Sequence, residues 1–268
     1  MDIDDILASV DRHDTSPESA ALDHQLLTRF WVAERAVSEL LPWPGPLMDR
    51  MMERVRKQIE KIEDLAASSS DPYTTTTTST NNPTLNLKLS ILQTDLARTQ
   101  FLIRSLLRQR LAKLTKHSMH YLLKVAPPRA SPSQSQSQTQ GQTPEDSVPE
   151  FDPADNPNPA PLSAQEAAFL HAHQTLLAGH FGASFLNSFP PQLRRLDDNA
   201  GGTSMVQGPE LREAVVVRCL VEEVRVVIPP GDGIEEELFG TTMRMGDVWV
   251  VRWEGIKGAW ERGEVEVL

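Results

Sequence analysis

Five histidines are the side chains best suited to chemistry in this chain. His171, His173 and His180 lie in one segment with helical periodicity, and His117 and His120 lie earlier in the sequence. A zinc site needs three or four convergent ligands, usually with cysteine or acidic partners at defined spacing. His171 and His173 are two residues apart, so a helix would point them to different sides. We therefore interpret these histidines as ordinary surface or core residues.

Two adjacent acids, Asp197 and Asp198, are the other candidates. Neither a nearby histidine nor a glycine-rich phosphate cradle accompanies them, so we assign them to a turn or a helix end. The chain contains no HExxH, GxSxG or P-loop sequence, the motifs that would indicate metalloprotease, hydrolase or nucleotide chemistry. The sequence therefore predicts no catalytic residue, no metal site and no cofactor. A weak enzyme built on these acids and the histidines is the least favoured alternative.

Composition restricts the class of protein. The chain has 268 residues, 39% of them hydrophobic, and a formal net charge of −11, and this length suits one or two domains. Its single cysteine, Cys219, excludes an internal disulfide framework and suits a reducing compartment such as cytosol or nucleus. No apolar run is long enough to span a bilayer, and the acidic start MDIDD is the reverse of a signal-peptide n-region. We expect a soluble intracellular protein without membrane contact.

Residues 85–116 are the element that could organise the rest, because they are predicted to be one unbroken helix roughly 45 Å long. The first apolar stripe of this helix contains Leu85, Leu89, Leu92, Leu96, Ile103, Leu107 and Leu114. A second stripe contains Ile91, Leu102 and Leu106. Two apolar stripes need neighbours on two sides of the helix. We therefore place Ile91, Leu102 and Leu106 in a subunit interface.

The same helix is basic. Between residues 86 and 124, eight lysines and arginines and one acid give a net charge of +7, against −18 for the rest of the chain. One interpretation is a basic surface over residues 88–116 that binds nucleic acid directly. Arg104 and Arg108, however, lie on a different side of the helical wheel from Lys88, and bases spread around a helix seldom follow a phosphate backbone. We favour contacts with acidic parts of this chain or of its partners.

Residues 1–15 stand apart from the other helical segments. The apolar positions of this tail have the i, i+3, i+4, i+7 spacing of one helix face; they are Ile3, Ile6, Leu7 and Val10. Its acids lie where a helix N-terminus favours negative charge; they are Asp2, Asp4 and Asp5. So short a helix does not form alone in water. The tail either packs on its own domain or folds into a partner's groove, and the polar break at residues 11–17 favours a flexible docking peptide.

Periodicity and composition divide the rest of the chain. Helices are predicted over residues 18–41, 47–67 and 162–189, the last with a capping box formed by Ser163 and Glu166. Two low-complexity tracts are predicted to be a disordered loop at 68–84 and a disordered linker at 126–161. The domains are then the docking peptide 1–15, a helical bundle 16–189, an interdomain linker 190–208 and a β-rich domain 209–268.

The β-rich domain is predicted from runs of β-branched and aromatic residues. Strands are expected at residues 214–220, 224–228, 241–244, 247–253 and 265–268, with a short helix at 254–262 that Gly263 ends. About sixty residues are a marginal size without disulfides, metal or a docking partner. We therefore assign Trp249 and Trp253 to a subunit interface. The fold class predicted for the whole chain is α+β, mainly α.

Several segments together resemble a known family. They are the DIDDIL start, RVRKQIE at 54–60, KLSILQTDLARTQFLIRSLLRQRLAK at 88–113, KHSMHYL at 116–122 and DVWVVRWEGIKGAWERGEVEVL at 247–268. This order is similar to that of the Sld-five subunits of the eukaryotic GINS DNA replication complex. The threonine-rich loop and the Ser/Gln/Pro linker depart from the shorter forms of that family and resemble fungal insertions.

The resemblance implies a non-enzymatic architectural role in the nucleus. In that family a helical A-domain pairs with the A-domain of a Psf-one subunit, and a small B-domain docks on the rest of a heterotetramer that also contains Psf-two and Psf-three subunits. The assembled complex joins the MCM ring and its Cdc-forty-five partner as the replicative helicase, so any DNA contact of this chain would be indirect. The DIDDIL tail, Asp2 to Leu7 with Val10, resembles the peptide that docks on the trimeric Ctf-four adaptor.

Overall fold

A computed structural model describes residues 17–69, 83–126, 144–149, 151, 159–190, 193–196, 206–228 and 239–268. Its helices are α1 (Pro17–Ala36), α2 (Gly45–Ser69), α3 (Pro83–Lys116), α4 (Ser118–Val125), α5 (Ala164–Ser184) and α6 (Trp253–Glu261). Its strands are β1 (Ala214–Cys219), β2 (Glu223–Ile228), β3 (Phe239–Arg244), β4 (Val248–Arg252) and β5 (Val265–Val267). The predicted fold class is confirmed: the chain is mainly helical, and its C-terminal region is small and rich in strands.

The first helix ends five residues before its predicted end at residue 41. The backbone amides that follow it are satisfied outside a helix: Leu40 N–H donates to the Tyr121 hydroxyl (2.8 Å) and Trp43 N–H to the Pro161 carbonyl (3.0 Å). Pro42 and the other prolines of this loop have no amide hydrogen to offer. The loop is therefore held by long-range contacts that helical periodicity cannot reveal.

The structure divides into two compact units, of which the first comprises Met1–Ala33, Pro44–Arg108 and Leu268. In its described part, polar contacts connect α1, α2 and α3. Asp23 accepts from Arg50 and pairs with Arg54, each at 2.9 Å. Trp31 Nε1 donates to Ser105 Oγ at 2.9 Å. These contacts orient the three helices around a shared core, which contains Leu27, Ala33, Met48, Met51, Val55, Ile103 and Leu106.

Two helix faces in this unit are buried in a way that apolar periodicity alone does not indicate. On α1, the apolar residue Leu22 is 55% exposed, whereas Asp23 is buried, because its carboxylate is paired with two arginines. On α3, Leu106 is fully buried, whereas Leu107 is 42% exposed. Leu107 belongs to the first apolar stripe, which we call the inner stripe. At 100° per residue, Leu106 lies about 75° to one side of the mean direction of the inner stripe and Leu107 about 25° to the other side. Which edge is covered depends on the neighbouring helices rather than on the period.

The second unit comprises Glu34–Trp43 and Gln109–Val267. Its helical core contains Leu40, Leu114, Tyr121, Leu122, Val125, Leu162, Ala167 and Leu170. The predicted capping box is confirmed, since Ser163 Oγ accepts from the Glu166 amide (3.2 Å) and Glu166 accepts from the Ser163 amide (2.9 Å). The predicted disordered linker 126–161 was wrong in part: Pro144–Ser147 form a 3-10 helix. Phe151 packs against the helical core as well.

The strand-rich part of the second unit contains two antiparallel sheets. One has the order β4-β1-β5 and the other pairs β2 with β3. Residues of β1 alternate between buried and exposed. Helix α6 lies against β2, where Gly255 is required because a Cβ there would be 2.7 Å from the Val227 carbonyl oxygen. Gly263, with a φ of 74°, follows α6 as predicted and allows the reversal into β5.

The units do not coincide with the domains predicted from sequence, since the second contains both helical and strand-rich segments. No helix in the described ranges combines the length and apolar character needed to cross a bilayer.

Candidate interaction surfaces

The histidines are not gathered into a site. His171 and His173 lie beside the rings of Phe151 and Phe169, with centroid distances of 6.1 and 5.7 Å, and His117 Nδ1 is 3.1 Å from a backbone carbonyl. Over the part of the chain that the structure describes, no three His, Cys, Asp or Glu side chains are placed to hold a metal ion. The acids at 197 and 198 lie outside the described residues.

Four charged side chains in the second unit do come together, and we call them the ionic cluster: Glu34, Arg110, Lys113 and Glu166. Arg110 donates to Glu34 at 3.1 Å and makes a two-pronged contact with Glu166 at 2.7 and 2.9 Å. Lys113 Nζ lies 2.6 Å from the other oxygen of Glu34. Glu34 and Arg110 are fully buried. Buried charges require such pairing, because their hydration has been lost.

Arg110 has no donor left for a ligand. Its guanidinium also donates to the backbone carbonyls of Leu41 (2.8 Å) and Pro161 (3.5 Å), and it lies 5.1 Å from the centre of the Trp43 ring. Every guanidinium nitrogen thus has an acceptor within the chain. This basic residue is unavailable for a phosphate, which removes it from any nucleic-acid surface on α3.

The ionic cluster has shifted proton affinities. Burial raises the pKa of Glu34, although Lys113 and Arg110 oppose the shift. Burial lowers the pKa of Lys113, and Glu34 opposes that shift. For Arg110, burial acts to lower the pKa, but the hydrogen bonds and charges of Glu166 and Glu34 outweigh it and the pKa is raised. The hydrogen bonds and ion pairs of the cluster are therefore arranged around an arginine that stays charged.

A second buried contact in this unit involves Trp253, one of the residues predicted to lie in a subunit interface. Trp253 is fully buried, and its indole N–H donates to Glu39 at 3.0 Å, while Lys257 binds the other oxygen of Glu39 at 2.7 Å. Burial acts to raise the pKa of Glu39, but the hydrogen bonds from Lys257 and Trp253 outweigh it and the pKa is lowered. Trp253 is covered by its own chain and offers no exposed surface, and its assignment to a subunit interface stays a prediction.

Helix α3 carries exposed apolar residues in the first unit. Leu87, Ile91 and Phe101 are 62%, 59% and 63% exposed. Together with Arg98 and Arg108 they recur at intervals of three, four or seven residues, which places them on one helix face. We call these five residues the outer stripe. Exposed aromatic and aliphatic side chains beside arginine are typical of protein interfaces.

The other predicted interface residues of α3 have different environments. Leu102 is half-buried beside the outer stripe, and its role, like that of Ile91, stays a prediction. Leu106 is fully buried among the chain's own helices. This burial argues against a direct contact with a partner, but the interface role of Leu106 stays a prediction.

The strand-rich region has an apolar outer face. Val216 on β1 is paired with Val250 on β4, and these two valines and Val248 are exposed. Trp249 points to the opposite face and is half-buried, so its interface role stays a prediction. Strand β4 pairs only with β1 among the described strands, so its other edge offers free backbone groups.

The docking peptide predicted at Asp2–Leu7 and Val10 lies outside the described residues. The buried charges Glu34 and Arg110, with the half-buried Lys113, are the important residues that sequence reasoning missed. One signal was present: Arg110 lies seven residues after Ile103 and four before Leu114, on the inner face of the helix. A base at such a position predicts a buried acidic partner, although not its identity.

Comparisons of this sequence with known proteins indicate the same family for the helical and the strand-rich regions. The family described as GINS complex protein helical bundle domain matches residues 59–185, and the C-terminus of DNA replication complex GINS protein SLD5 matches residues 209–268. The protein named DNA replication complex GINS protein SLD5 from Chaetomium globosum is 34% identical over 272 residues, covering 100% of both chains. The protein of the same name from Yarrowia lipolytica is 30% identical, covering 98% of this chain and 84% of its own. The Arabidopsis thaliana protein of that name is 28% identical, covering 92% and 91%.

Proposed function

Because this chain belongs to the family of SLD5 proteins of the DNA replication complex GINS, we propose that it is a non-catalytic structural subunit of a GINS complex. It acts in chromosomal DNA replication, in the nucleus. The observation that carries this proposal is the similarity to an SLD5 protein over the full length of both chains. The exposed apolar residues on α3 and on the outer face of the β4-β1-β5 sheet support it, since a subunit of an obligate complex must present such surfaces.

The proposed partners are three other GINS subunits of the Psf-one, Psf-two and Psf-three types. The helical region pairs with the Psf-one subunit, and the strand-rich region docks on the remainder of a heterotetramer. That tetramer joins the MCM ring and Cdc-forty-five in the replicative helicase, at initiation and during elongation. Ile91, Leu102 and Trp249 stay the proposed interface residues, with Val216, Val248 and Val250 as the exposed face near Trp249.

Co-expression of the full chain with the three candidate subunits, followed by size-exclusion chromatography, tests the proposal. We expect a single peak containing four subunits in equal amounts. A folded chain that elutes separately while the other three subunits assemble would contradict it. Direct DNA binding by residues 88–116 is the alternative function. It is weakened by the burial of Arg110 and by the ion pairs that engage Arg110 and the half-buried Lys113 with Glu34 and Glu166.

A finer proposal concerns the N-terminal tail. Its Asp2–Leu7 segment, with Val10, docks as a short helix on a Ctf-four-type adaptor trimer and links the helicase to the primase-polymerase. We expect a micromolar dissociation constant, about −8 kcal/mol, because ordering the peptide costs entropy on binding. Isothermal calorimetry with a synthetic peptide of residues 1–15 tests this. The double change Ile6→Ala and Leu7→Ala should remove the heat of binding and leave subunit assembly unchanged.

A further inference from the structure

The short 3-10 helix that precedes α5 in the sequence belongs to a segment that packs along that helix. We call this segment, residues 144–149 and 151, the strap. Pro144 is buried, and a Cβ added at Gly182 of α5 would lie 3.5 Å from its ring. Nearer the start of α5, the ring of Phe151 lies beside that of His171, with centroids 6.1 Å apart. The strap therefore covers part of α5 between these two contacts.

Ser147 fastens the strap. This serine is only 3% exposed, and its Oγ accepts a hydrogen bond from the backbone amide of Leu196 at 3.0 Å. The hydroxyl thus joins the strap to the segment that follows α5. Within the strap, the Val148 amide donates to the Glu145 carbonyl at 3.1 Å. Because the Ser147 side chain is enclosed, a larger group on its oxygen does not fit while the strap is docked.

The sequence around Ser147 is strongly acidic. Glu145 and Asp146 precede the serine, and Glu150 lies three residues after it. No lysine or arginine occurs between residues 130 and 193. A serine with an acid three residues later, in such surroundings, is the substrate pattern of acidophilic kinases such as casein kinase II, whose basic groove selects acidic peptides by charge complementarity.

We propose that Ser147 is a phosphorylation site for an acidophilic kinase and that its phosphorylation releases the strap from α5. The Ser147 oxygen forms a bond to the γ-phosphorus of ATP, and the bond from that phosphorus to the β–γ bridging oxygen breaks. ADP leaves, and the hydroxyl proton passes to the catalytic aspartate of the kinase. The kinase acts on the undocked strap, because short segments with few buried contacts open locally at small cost in free energy.

Release, rather than tighter docking, follows from the charges near Ser147. A phosphoserine carries about −1.5 to −2 charges at neutral pH. In the docked strap this charge would lose its hydration and stand next to Glu145 and Asp146 in the sequence. The nearby Arg194 already donates to two backbone carbonyls, at 2.8 and 3.0 Å, and Arg195 also has an interaction within the chain. Undocking returns the phosphate to water.

Phosphorylation of the full chain by casein kinase II with ATP tests the proposal. The chain is used as it is purified, whether it elutes alone or with the co-expressed subunits. Fragmentation mass spectrometry locates the phosphate, and hydrogen exchange measures the opening of the strap. Ser147→Ala, treated in the same way, is the control for phosphate at other positions. Ser163 is an internal control, because Glu166 follows it by three residues but both belong to the capping box.

Two further variants open the strap without changing the residues next to Ser147. Gly182→Leu places a side chain where Pro144 packs, and Phe151→Ala removes the aromatic contact with α5. We expect both variants to be phosphorylated at least about tenfold faster than the wild type, because the kinase acts on the opened form. Circular dichroism checks that each variant retains its helices.

In the wild type we expect one phosphate on Ser147 and none on Ser163. The amides of Val148 and Leu196 should then exchange at least about tenfold faster, since the strap no longer holds them. Ser147→Ala should show no change in exchange after kinase treatment.

Each part of the proposal has a result that would overturn it. Absence of phosphate on Ser147, even in the two opening variants, would reject the site. Phosphate on Ser147 with unchanged or slower exchange would reject release and would assign the phosphate to the arginines that follow α5. Equal phosphorylation rates for the wild type and the opening variants would show that the strap does not shield the serine. None of these results depends on subunit assembly, so this proposal and the proposed function fail separately.

Discussion

Helix α3 contains two sets of basic residues with opposite environments. Arg110 and Lys113 are paired with Glu34 and Glu166 in the ionic cluster, whereas Arg98 and Arg108 are exposed and form no ion pair with any residue that the structure describes. Both sets contribute equally to the net charge of the segment, so counting charges cannot distinguish them. The difference shows that the position of an acid elsewhere in the fold decides whether a base stabilises the chain or remains free to bind another molecule.

Among these variants, the removal of one member of the ionic cluster should have the largest effect on the free energy of unfolding. Arg110→Ala leaves Glu34 and Glu166 with too little positive charge in a buried site, so we expect the free energy of unfolding to fall by about 3–5 kcal/mol. Urea unfolding followed by tryptophan fluorescence measures this change. Arg108→Ala, two residues earlier and exposed, is the control and should change stability by less than about 0.5 kcal/mol. Equal urea midpoints for the two variants would remove the distinction between the two sets.

Neighbouring leucines extend the comparison from charge to packing. Leu106→Ala should lower the free energy of unfolding by about 3 kcal/mol, because it leaves a cavity in a fully packed site. Leu107→Ala removes the same atoms from a side chain that is 42% exposed, so its effect should be less than about 1 kcal/mol. The same urea titration, applied to both variants, measures the two losses of unfolding free energy. A larger loss for Leu107→Ala would contradict the difference in burial between the two leucines.

Glu39 provides a smaller effect with a pH signature. Its folded pKa lies below the ordinary value of 4.5, so its stabilising contribution is present above pH 4.5 and is lost as pH falls through the folded pKa. Glu39→Gln should cost about 1–2 kcal/mol at pH 7, since a charge-assisted bond becomes a neutral one.

Unfolding titrations at decreasing pH provide the check. The gap in stability between wild type and Glu39→Gln should narrow below pH 4.5. The exposed residue Glu63 supplies the control Glu63→Gln, which should follow the wild type throughout. A gap that stays constant to low pH would show that the charge of Glu39 has no part in its contacts with Trp253 and Lys257.

The smallest effect is expected for the free arginines. Arg98→Gln should shift the melting temperature of the chain by less than about 2 °C, because an exposed, unpaired charge contributes little to folding. Differential scanning calorimetry at low and high salt measures it. A clear loss of stability that high salt removes would indicate an ionic partner within the chain and would contradict the assignment of Arg98 to the free set.

Local signals explain what could be predicted from the sequence. The long helix, the capping box at Ser163 and the strands after residue 209 all follow from periodicity, caps and turn residues close to one another in the chain. In contrast, the low-complexity composition of residues 126–161 gave no indication of the 3-10 helix at Pro144–Ser147. The adaptor peptide and the interface residues stay predictions.

Long-range contacts explain what could not be predicted. Glu34 and Arg110 are 76 residues apart, and no local pattern links them. The choice between Leu106 and Leu107 depends on which edge of the helix its neighbours cover. Trp253 was assigned to an interface because a large apolar side chain needs burial, but the sequence could not show that Glu39, 214 residues earlier, supplies the buried acceptor.

The contact between Glu39 and Trp253 has a consequence for biosynthesis. A ribosome makes residue 39 long before residue 253, so the nascent chain must wait for more than two hundred further residues before this carboxylate acquires its indole and ammonium donors. Closing so long a loop costs conformational entropy, and this cost is offset only when the surrounding contacts have formed. The contacts of Glu39 therefore form only after translation has passed Lys257, and a nascent chain paused earlier exposes Leu40 and Leu41 beside a hydrated carboxylate. Apolar side chains exposed in this way are prone to aggregation until the chain is complete.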